Sequence, residues 1–308
     1  MSRKVIIFGA QGQVGWELQR SLCCLGQIVP VSSSEVDFTC AEKLRAFLAE
    51  VSADVIVNSA AYTSVDKAEV DVEQARLVNA VAPAILSEEA KNNGSILIHY
   101  STDYVFDGKS NQPYTESSPT APLNVYGKTK LAGDEAILRS GCKHLIFRTS
   151  WVYSTRGTNF LRTMLRLAEE KNSLSVVSDQ IGAPTSASVI AQATATVLAQ
   201  ITAPNATLEV ASGIYNLTAA GACSWFDFAK EIFEQSHMLW GTKNPSLESI
   251  LTRNYPRPAL RPENSCLSGK KINQVFGIQM PGWEASLRKV LEGMEQADNM
   301  AKGKLKRA

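Results

Sequence analysis

Residues 4–15 read KVIIFGAQGQVG, and this stretch decides the fold. An apolar run, Val5–Phe8, is followed at once by Gly9, Gly12 and Gly15, and Val14–Cys24 has the apolar spacing of a helix. Glycines between a first strand and a first helix permit a tight turn and a close backbone approach to a pyrophosphate. The helix N-terminus then presents amide groups to the phosphates. The spacing G-x-x-G-x-x-G, at the start of a βαβ pattern, therefore predicts a dinucleotide-binding turn.

Short β-branched runs alternate with amphipathic stretches through the first half of the chain, which is typical of a parallel sheet with crossover helices. We predict an α/β fold, a Rossmann-like doubly wound parallel sheet over residues 1–150. A smaller C-terminal α/β part, 151–300, is predicted to bind substrate, and 301–308 form a basic tail. The further strands are expected at Gln27–Val31, Asp54–Asn58, Ile96–Tyr100, His144–Arg148, Leu174–Val177 and Ile214–Leu217. The further helices are expected at Ala41–Glu50, Val72–Asn92, Tyr126–Arg139, Asn159–Glu170, Ala187–Gln200, Trp225–Gln235, Gly269–Val275 and Trp283–Glu295.

The composition excludes several classes of protein. Of 308 residues, 44% are hydrophobic and 20% charged, so the chain is neither disordered nor membranous. Lys and Arg (31) nearly balance Asp and Glu (30), which leaves no basic footprint for nucleic acid. We find no apolar run near the roughly 18 residues of a membrane span and no signal peptide, and we therefore expect a cytoplasmic protein.

The cysteines and histidines do not have the spacing of a metal site. None of the six cysteines forms C-x-x-C, and Cys23 and Cys24 are adjacent. The three histidines are scattered. We predict no zinc site and no histidine-based triad.

Tyr126 and Lys130 are four residues apart on a predicted helix, so they share one face. A free phenol has a pKa near 10 and is a sluggish acid at neutral pH. A nearby ammonium favours phenolate and lowers that pKa, which suits a phenol that protonates a carbonyl oxygen after hydride arrives. The pair predicts a carbonyl reductase in which Lys130 lowers the pKa of Tyr126 and holds the nicotinamide ribose.

Ser101 and Thr102 directly follow the predicted strand Ile96–Tyr100, at the edge of the sheet where α/β enzymes place their sites. Either hydroxyl is placed to hold a substrate carbonyl oxygen, and strand alternation lets only one face the cleft. At the adenosine end, the second strand is followed by three serines, Glu35 and Asp37, without arginine. The residues alone do not decide between NADH and NADPH.

Taken together, these segments resemble the extended short-chain dehydrogenase/reductases and, within them, the dTDP-4-dehydrorhamnose reductase family. The resemblance spans nearly the whole chain in order. It rests on FGAQGQVGWEL (8–18), NSAAYTSVDKAE (58–69), HYSTDYVFDG (99–108), PLNVYGKTKLAG (122–133), RTSWVY (148–153), NFLRTMLR (159–166), SDQIGAPT (178–185) and RPENSCLS (261–268).

The resemblance implies a role for each matched position. The catalytic set would be Thr102, Tyr126 and Lys130, with Thr102 as the hydroxyl that holds the carbonyl oxygen. The cofactor NADPH, with NADH as the alternative, would contact Tyr126, Lys130, Gly9, Gly12, Gln13, Val14, Gly15, Asp37, Phe38, Ala60, Ala61, Tyr62 and Asn79. The dTDP-sugar would contact Thr102, Thr63, Val65, Phe106, Trp151, Asn159, Gln180, Ala183, Pro184 and Arg261.

The resemblance also implies the reaction, which is reduction of the C4 carbonyl of dTDP-4-dehydro-L-rhamnose in dTDP-rhamnose biosynthesis. Two alternatives are a nucleotide-sugar epimerase of the same superfamily and a non-catalytic regulatory subunit of the methionine adenosyltransferase type. A homodimer is compatible with the family. Some members use carboxylates, including the match of Glu17, for magnesium at a dimer contact. Because Ser188 stands where a second carboxylate is expected, we predict no metal.

Overall fold

A six-stranded sheet with parallel pairing throughout forms the centre of the structure, a computed structural model that describes residues 3–203 and 211–301. In chain order its strands are β1 Lys4–Phe8, β2 Gln27–Val31, β3 Val55–Asn58, β4 Ile96–Thr102, β5 Lys143–Thr149 and, later, β10 Gly213–Asn216. Their spatial order is β10-β5-β4-β3-β1-β2. The order reverses between β1 and β3, which makes the crevice beyond their carboxyl ends the switch point of a doubly wound sheet. The predicted fold class is confirmed.

Helices cover both faces of this sheet. The described helices are α1 Gln13–Ser21, α2 Ala41–Glu50, α3 Val65–Ala68, α4 Val72–Arg76, α5 Ala82–Asn93, α6 Val125–Ser140, α7 Phe160–Glu170, α8 Ala187–Ile201, α9 Trp225–Trp240, α10 Lys270–Phe276 and α11 Trp283–Ala301. Alternate residues of β1 point to opposite faces, so Val5 and Ile7 pack with Leu18 of α1, whereas Ile6 packs with Leu44 of α2. Both faces of the sheet are therefore buried, as a parallel sheet requires.

The smaller part is built around a third apolar cluster, in which Tyr153, Phe228 and Trp283 pack together. Its short strands are β6 Val152–Tyr153, β7 Ser173–Val177, β8 Ile181–Gly182, β9 Thr185–Ser186, β11 Cys223–Ser224 and β12 Ser246–Ile250. The chain nevertheless returns to the large sheet, because β10 pairs with β5 and α8 packs against α1. The division of roles at residue 150 stays a prediction, and the sheet itself extends beyond it.

Most predicted elements lie within two or three residues of those observed, and the differences have local causes. The strand β12 was missed; it pairs in parallel with β7 on the smaller part. The predicted helix Val72–Asn92 is interrupted by a π-helical turn, Leu77–Val81, and α3 lies in the predicted loop before it. The proline-rich stretch 255–262 is irregular, as predicted. The basic tail lies outside the described residues, apart from Ala301.

Within residues 3–203 and 211–301, no helix combines the length and the apolar character needed to cross a membrane.

Candidate active site

The glycine-rich turn joins β1 to α1 and packs closely against the end of β3. Gly9 has a φ of +75°, and a Cβ there would lie 2.6 Å from the backbone nitrogen of Ala60. A Cβ on Gly15 would lie 2.1 Å from the carbonyl oxygen of Gly9. Both positions therefore require glycine, one for backbone conformation and contact, the other for helix packing.

The start of α1 is suited to an anion. Its N-cap, Gly12, has no side chain to accept from the first amide groups, and the first turn contains no acidic residue. The first amides of a helix lack partners within the helix and carry the positive end of its dipole. A pyrophosphate therefore fits at this turn by both hydrogen bonding and charge.

A cleft of about 590 Å³ runs from this turn along the carboxyl edge of the sheet to the Tyr–Lys helix. Most residues predicted to bind the cofactor line it: Gly9, Gly12, Gln13, Val14, Asp37, Phe38, Ala60, Ala61, Tyr62, Tyr126 and Lys130. Thr63, predicted for the sugar, lines it too. Sequence reasoning missed several other lining residues, among them Gln11, Ser59, Gln74, Gly157 and Thr158. The shape and donors of this cleft fit a dinucleotide.

Two predicted cofactor contacts, Gly15 and Asn79, do not line the cleft and instead build its wall. Gly15 packs against the Gly9 carbonyl. Asn79 is fully buried in the π-helical turn. Its Oδ1 accepts from the Tyr62 nitrogen at 2.9 Å, and its Nδ2 donates to the Tyr62 carbonyl at 3.1 Å. The π turn thus orients Asn79 to fix Tyr62, a use of such turns that is frequent at functional sites.

The two candidate hydroxyls at the end of β4 have different partners. Ser101 Oγ donates to Asp134 Oδ2 at 2.7 Å, inside the protein. Thr102 Oγ1 donates to Asp103 Oδ1 at 2.9 Å and accepts from the Tyr104 nitrogen at 3.1 Å. The Thr102 hydroxyl also acts to lower the pKa of Tyr126. Ser101 lines the cleft and Thr102 does not, so the choice of Thr102 as the hydroxyl that holds the substrate oxygen stays a prediction.

The start of α6 fixes the direction of Tyr126. Asn124 caps the helix by accepting from the Gly127 nitrogen at 2.8 Å. A Cβ on Gly127 would lie 2.2 Å from the Tyr104 carbonyl oxygen, so glycine lets the helix approach the segment after β4. The rings of Tyr104 and Tyr126 meet edge to face at 5.7 Å. The phenol is thereby held beside Thr102.

The predicted acidification of Tyr126 by Lys130 is not found in this structure. Burial raises the pKa of Tyr126 to about 12, and this effect is larger than the opposite effect of the Thr102 hydroxyl. Lys130 Nζ instead donates to the Tyr100 carbonyl at 2.6 Å and lies 3.1 Å from His99 Nε2. Burial lowers the pKa of Lys130 to about 8. The Lys130 Nζ is therefore turned toward β4.

A buried polar cluster behind Lys130 was also missed. His99, Asp134 and Arg148 are all buried, and Asp134 lies 3.8 Å from His99 Nε2 and 3.6 Å from Arg148 Nε. Burial raises the pKa of Asp134. The available signal was a histidine and an arginine inside otherwise apolar strands, since such residues are rarely buried without a partner.

The residues predicted to bind the sugar and its nucleotide occupy different structural positions. Phe106 is fully buried and stacked on Tyr114 at 4.2 Å in a small core cluster, and its contact with the sugar stays a prediction. Asn159 caps α7 and donates to Gln13 Oε1 at 2.9 Å, which ties its loop to the glycine-rich turn. Gln180 is buried and donates to Thr252 Oγ1 at 3.0 Å.

The other predicted sugar contacts are in the smaller part or near Tyr104. Ala183 and Pro184 are buried, while Val65 is half-buried at the start of α3. Trp151 has a φ of +46°, the one positive value at a non-glycine among the residues the structure describes, and stacks on Trp225 at 3.5 Å. Such a strained residue is held by its surroundings and is often functional. Arg261 pairs with Asp66 near Tyr104.

The fold and the site together define a nicotinamide-dependent oxidoreductase of the extended short-chain dehydrogenase/reductase class. The model of the RmlD substrate binding domain family matches residues 3–296, and the chain belongs to this family. The family predicted from sequence is therefore confirmed.

Individual relatives agree with this assignment. The chain is 46% identical to a dTDP-4-dehydrorhamnose reductase of Burkholderia thailandensis over 91% of this chain and 95% of that protein. It is 43% identical to the Escherichia coli K12 protein of the same name, over 93% and 96%. The crystal structure of a Bacillus anthracis dTDP-4-dehydrorhamnose reductase in complex with NADP superimposes with a TM-score of 0.87, at 33% identity, covering 95% of this chain and all of that one.

Proposed function

We propose that this protein reduces the C4 carbonyl of dTDP-4-dehydro-L-rhamnose to give dTDP-L-rhamnose, with NADPH as hydride donor. The observation that carries the proposal is that Tyr126 and Lys130 both line, at the carboxyl edge of the sheet, a cleft suited to a dinucleotide. The names of the relatives supply the sugar and the nucleotide, since the fold alone does not identify a substrate.

The protein residues supply a proton and hold the reacting oxygen. A bound dihydronicotinamide supplies the hydride. Tyr126 gives its phenolic proton to the C4 oxygen, and Thr102 holds that oxygen through its hydroxyl. A phenol whose pKa is about 12 is fully protonated at neutral pH, so the donor is always loaded. Lys130, one turn further along α6, stabilises the phenolate that remains and binds the ribose.

The preference for NADPH over NADH rests on the Bacillus anthracis structure, which contains NADP. The cleft itself offers Asp37 at the adenosine end, and Lys130 is the one cation among the described residues that line it. Asp37 is suited to a ribose hydroxyl, and its pKa is lowered by bonds from Thr39. We therefore keep NADH as the alternative cofactor, to be compared directly. A homodimer stays a prediction.

The decisive test is an NADPH-oxidation assay with the full-length chain. We expect rapid oxidation with dTDP-4-dehydro-L-rhamnose, slower oxidation with the UDP and GDP counterparts, and dTDP-L-rhamnose as the product identified by chromatography and mass. Protein that carries tightly bound NAD, consumes no NADPH and inverts a sugar centre would instead be an epimerase. Absence of turnover together with co-purification of a methionine adenosyltransferase would indicate a regulatory subunit.

A further inference from the structure

The buried cluster behind Lys130 contains a hydrogen-bonding constraint that the proposed mechanism does not use. His99 lies on β4, fully buried, with Asn58 Nδ2 3.0 Å from its Nδ1 and Lys130 Nζ 3.1 Å from its Nε2. A neutral imidazole has one N–H and one lone pair, so it cannot accept from both neighbours. One of the two contacts must therefore have His99 as the donor.

A backbone hydrogen bond to Asn58 shows in which of the two contacts His99 is the donor. Asn58 Oδ1 accepts from the Ala60 nitrogen at 3.2 Å, which directs the Asn58 amide group toward His99. Turning the Asn58 side chain over would place its NH₂ group against the Ala60 N–H and lose this bond. Since an amide group only donates, His99 Nδ1 must accept. The proton of His99 is then on Nε2, which faces Lys130.

The charges around Lys130 point the same way. The groups around it are His99 and the Tyr100 carbonyl on β4, Asp134 on α6, and Arg148 behind Asp134 on β5. One buried carboxylate, Asp134, already lies beside the buried guanidinium of Arg148. Asp134 also favours the charged form of Lys130, but two buried cations would then share one carboxylate, which is costly in a protein interior.

We infer that His99 carries its proton on Nε2 and donates it to the amine form of Lys130, so that His99 is a positioning residue for Lys130. The amine in turn donates to the Tyr100 carbonyl, which satisfies every polar atom of the contact. Binding of the anionic cofactor then favours the ammonium form, and one proton is taken up from solvent. Burial lowers the pKa of Lys130 to about 8, so the amine is the main form above that pH and the ammonium is the main form below it.

The tautomer can be read directly by ¹⁵N NMR of histidine-labelled protein, independently of any activity. His144 Nδ1 lies 2.9 Å from the Cys142 carbonyl and His237 Nδ1 lies 2.7 Å from the Thr242 carbonyl, so both must carry the Nδ1 proton when neutral. We expect His99 alone of the three to show the Nε2–H pattern, without titration between pH 5 and 9. The variants His144→Asn and His237→Asn assign the signals. An Nδ1–H pattern at His99 overturns the inference.

Proton uptake tests the charge of Lys130 and rests on the proposed function. Calorimetric titration of NADPH at pH 9, in two buffers of different ionisation enthalpy, should show uptake of about one proton per NADPH. Lys130→Met should abolish the uptake, whereas Asp103→Asn should retain it. Failure of NADPH to bind would count against the proposed function. Binding without uptake in the wild type would overturn the inference alone.

The pH dependence of kcat/KM separates the inference from its alternative, because the two predict shifts of opposite direction in His99→Leu. If His99 donates to the amine, His99→Leu removes a bond that stabilises neutral Lys130, and the alkaline limb of kcat/KM moves to higher pH. His99→Gln, which keeps a polar group at the site, should move it the same way because its carbonyl can accept from the ammonium. If His99 accepted from an ammonium, His99→Leu would move the limb to lower pH, and that result overturns the inference.

Discussion

Arg261 and Asp66 form an ion pair with two hydrogen bonds, 3.1 and 3.0 Å long, although 195 residues separate them. The Ala259 nitrogen also donates to Asp66 Oδ1 at 3.3 Å, and Asn124 Nδ2 donates to the Leu260 carbonyl at 2.7 Å. The proline-rich stretch 255–262 is thereby fastened to α3 and to the start of the Tyr126 helix. The Arg261 guanidinium is held in a fixed orientation near Tyr104 before any nucleotide arrives.

Arg261→Met should weaken this connection and the binding of the nucleotide sugar. We expect a loss of about 1 kcal/mol in the free energy of unfolding, as for other partly exposed ion pairs. We also expect a higher KM for the dTDP-sugar and an unchanged Kd for NADPH. Arg257→Met is the matched control, because Arg257 lies 3.9 Å from Asp66 with a more exposed side chain. Equal effects of the two substitutions on KM would contradict the role given to Arg261.

Tyr126→Phe should lose most turnover and still bind NADPH. The substitution removes the proposed acid and keeps the ring that meets Tyr104. General acid catalysis is typically worth about 10²–10⁴ in rate, so we expect a fall in kcat of that size. Tyr255→Phe, on the exposed proline-rich stretch, is the control and should retain kcat. Near wild-type turnover in Tyr126→Phe would remove the phenol from the mechanism.

The fold could be predicted because its determinants are local. The apolar run before Gly9 and the alternation of strands and helices need no knowledge of distant contacts. The strand β12 was missed because its residues, SLESI, pair at an edge of the smaller part and are mostly exposed, so they have no apolar signature. The burial of Phe106 could not be predicted, because adjacency to the site along the chain does not reveal which way a side chain points.

The candidate catalytic residues could be picked out by type and spacing, but their pKa values and partners could not. Lys130 was expected to lower the pKa of Tyr126, since four residues along a helix bring two side chains together. Instead, burial raises the pKa of Tyr126, and Lys130 donates to the Tyr100 carbonyl. Both effects depend on tertiary packing. The resemblance likewise implies that Asn79 and Asn159 bind ligands, which stays a prediction, and in the structure their amides bond to backbone around the cleft.

Gly9→Ala should destabilise the protein and abolish NADPH binding. Alanine at a φ of +75° is strained, and its Cβ would lie 2.6 Å from the Ala60 nitrogen on the wall of the cleft. Gly94→Ala is the matched control, since Gly94 has a φ of +68° with no atom within 4 Å of the added Cβ. The control isolates the cost of the backbone conformation, about 1 kcal/mol. Thermal unfolding and NADPH titration should show a larger loss for Gly9→Ala on both measures.

Asp103 should make stability depend on pH between the acid range and neutrality. Burial raises its pKa from 3.8 to about 7, and Oδ2 has no hydrogen-bond partner. The folded protein therefore binds this proton more tightly than the unfolded chain does, so its contribution to stability is complete below about pH 4 and is lost as the pH rises through 7. Asp103→Asn fixes the neutral state. Its free energy of unfolding relative to wild type should accordingly increase from pH 4 to pH 8, at roughly 1.4 kcal/mol per unit of pKa shift.

Asp107→Asn provides the control with the opposite sign. The Lys109 backbone N–H and the Tyr114 hydroxyl lower the pKa of Asp107, so its contribution is present at neutral pH and is lost as the pH falls below 3.8. This variant should be less stable than wild type at pH 7, and the difference should shrink toward pH 3. Chemical denaturation of both variants and the wild type across this range measures the two trends. If Asp103→Asn instead loses stability relative to wild type as the pH rises, Asp103 is ionised in the folded protein and its burial does not control its charge.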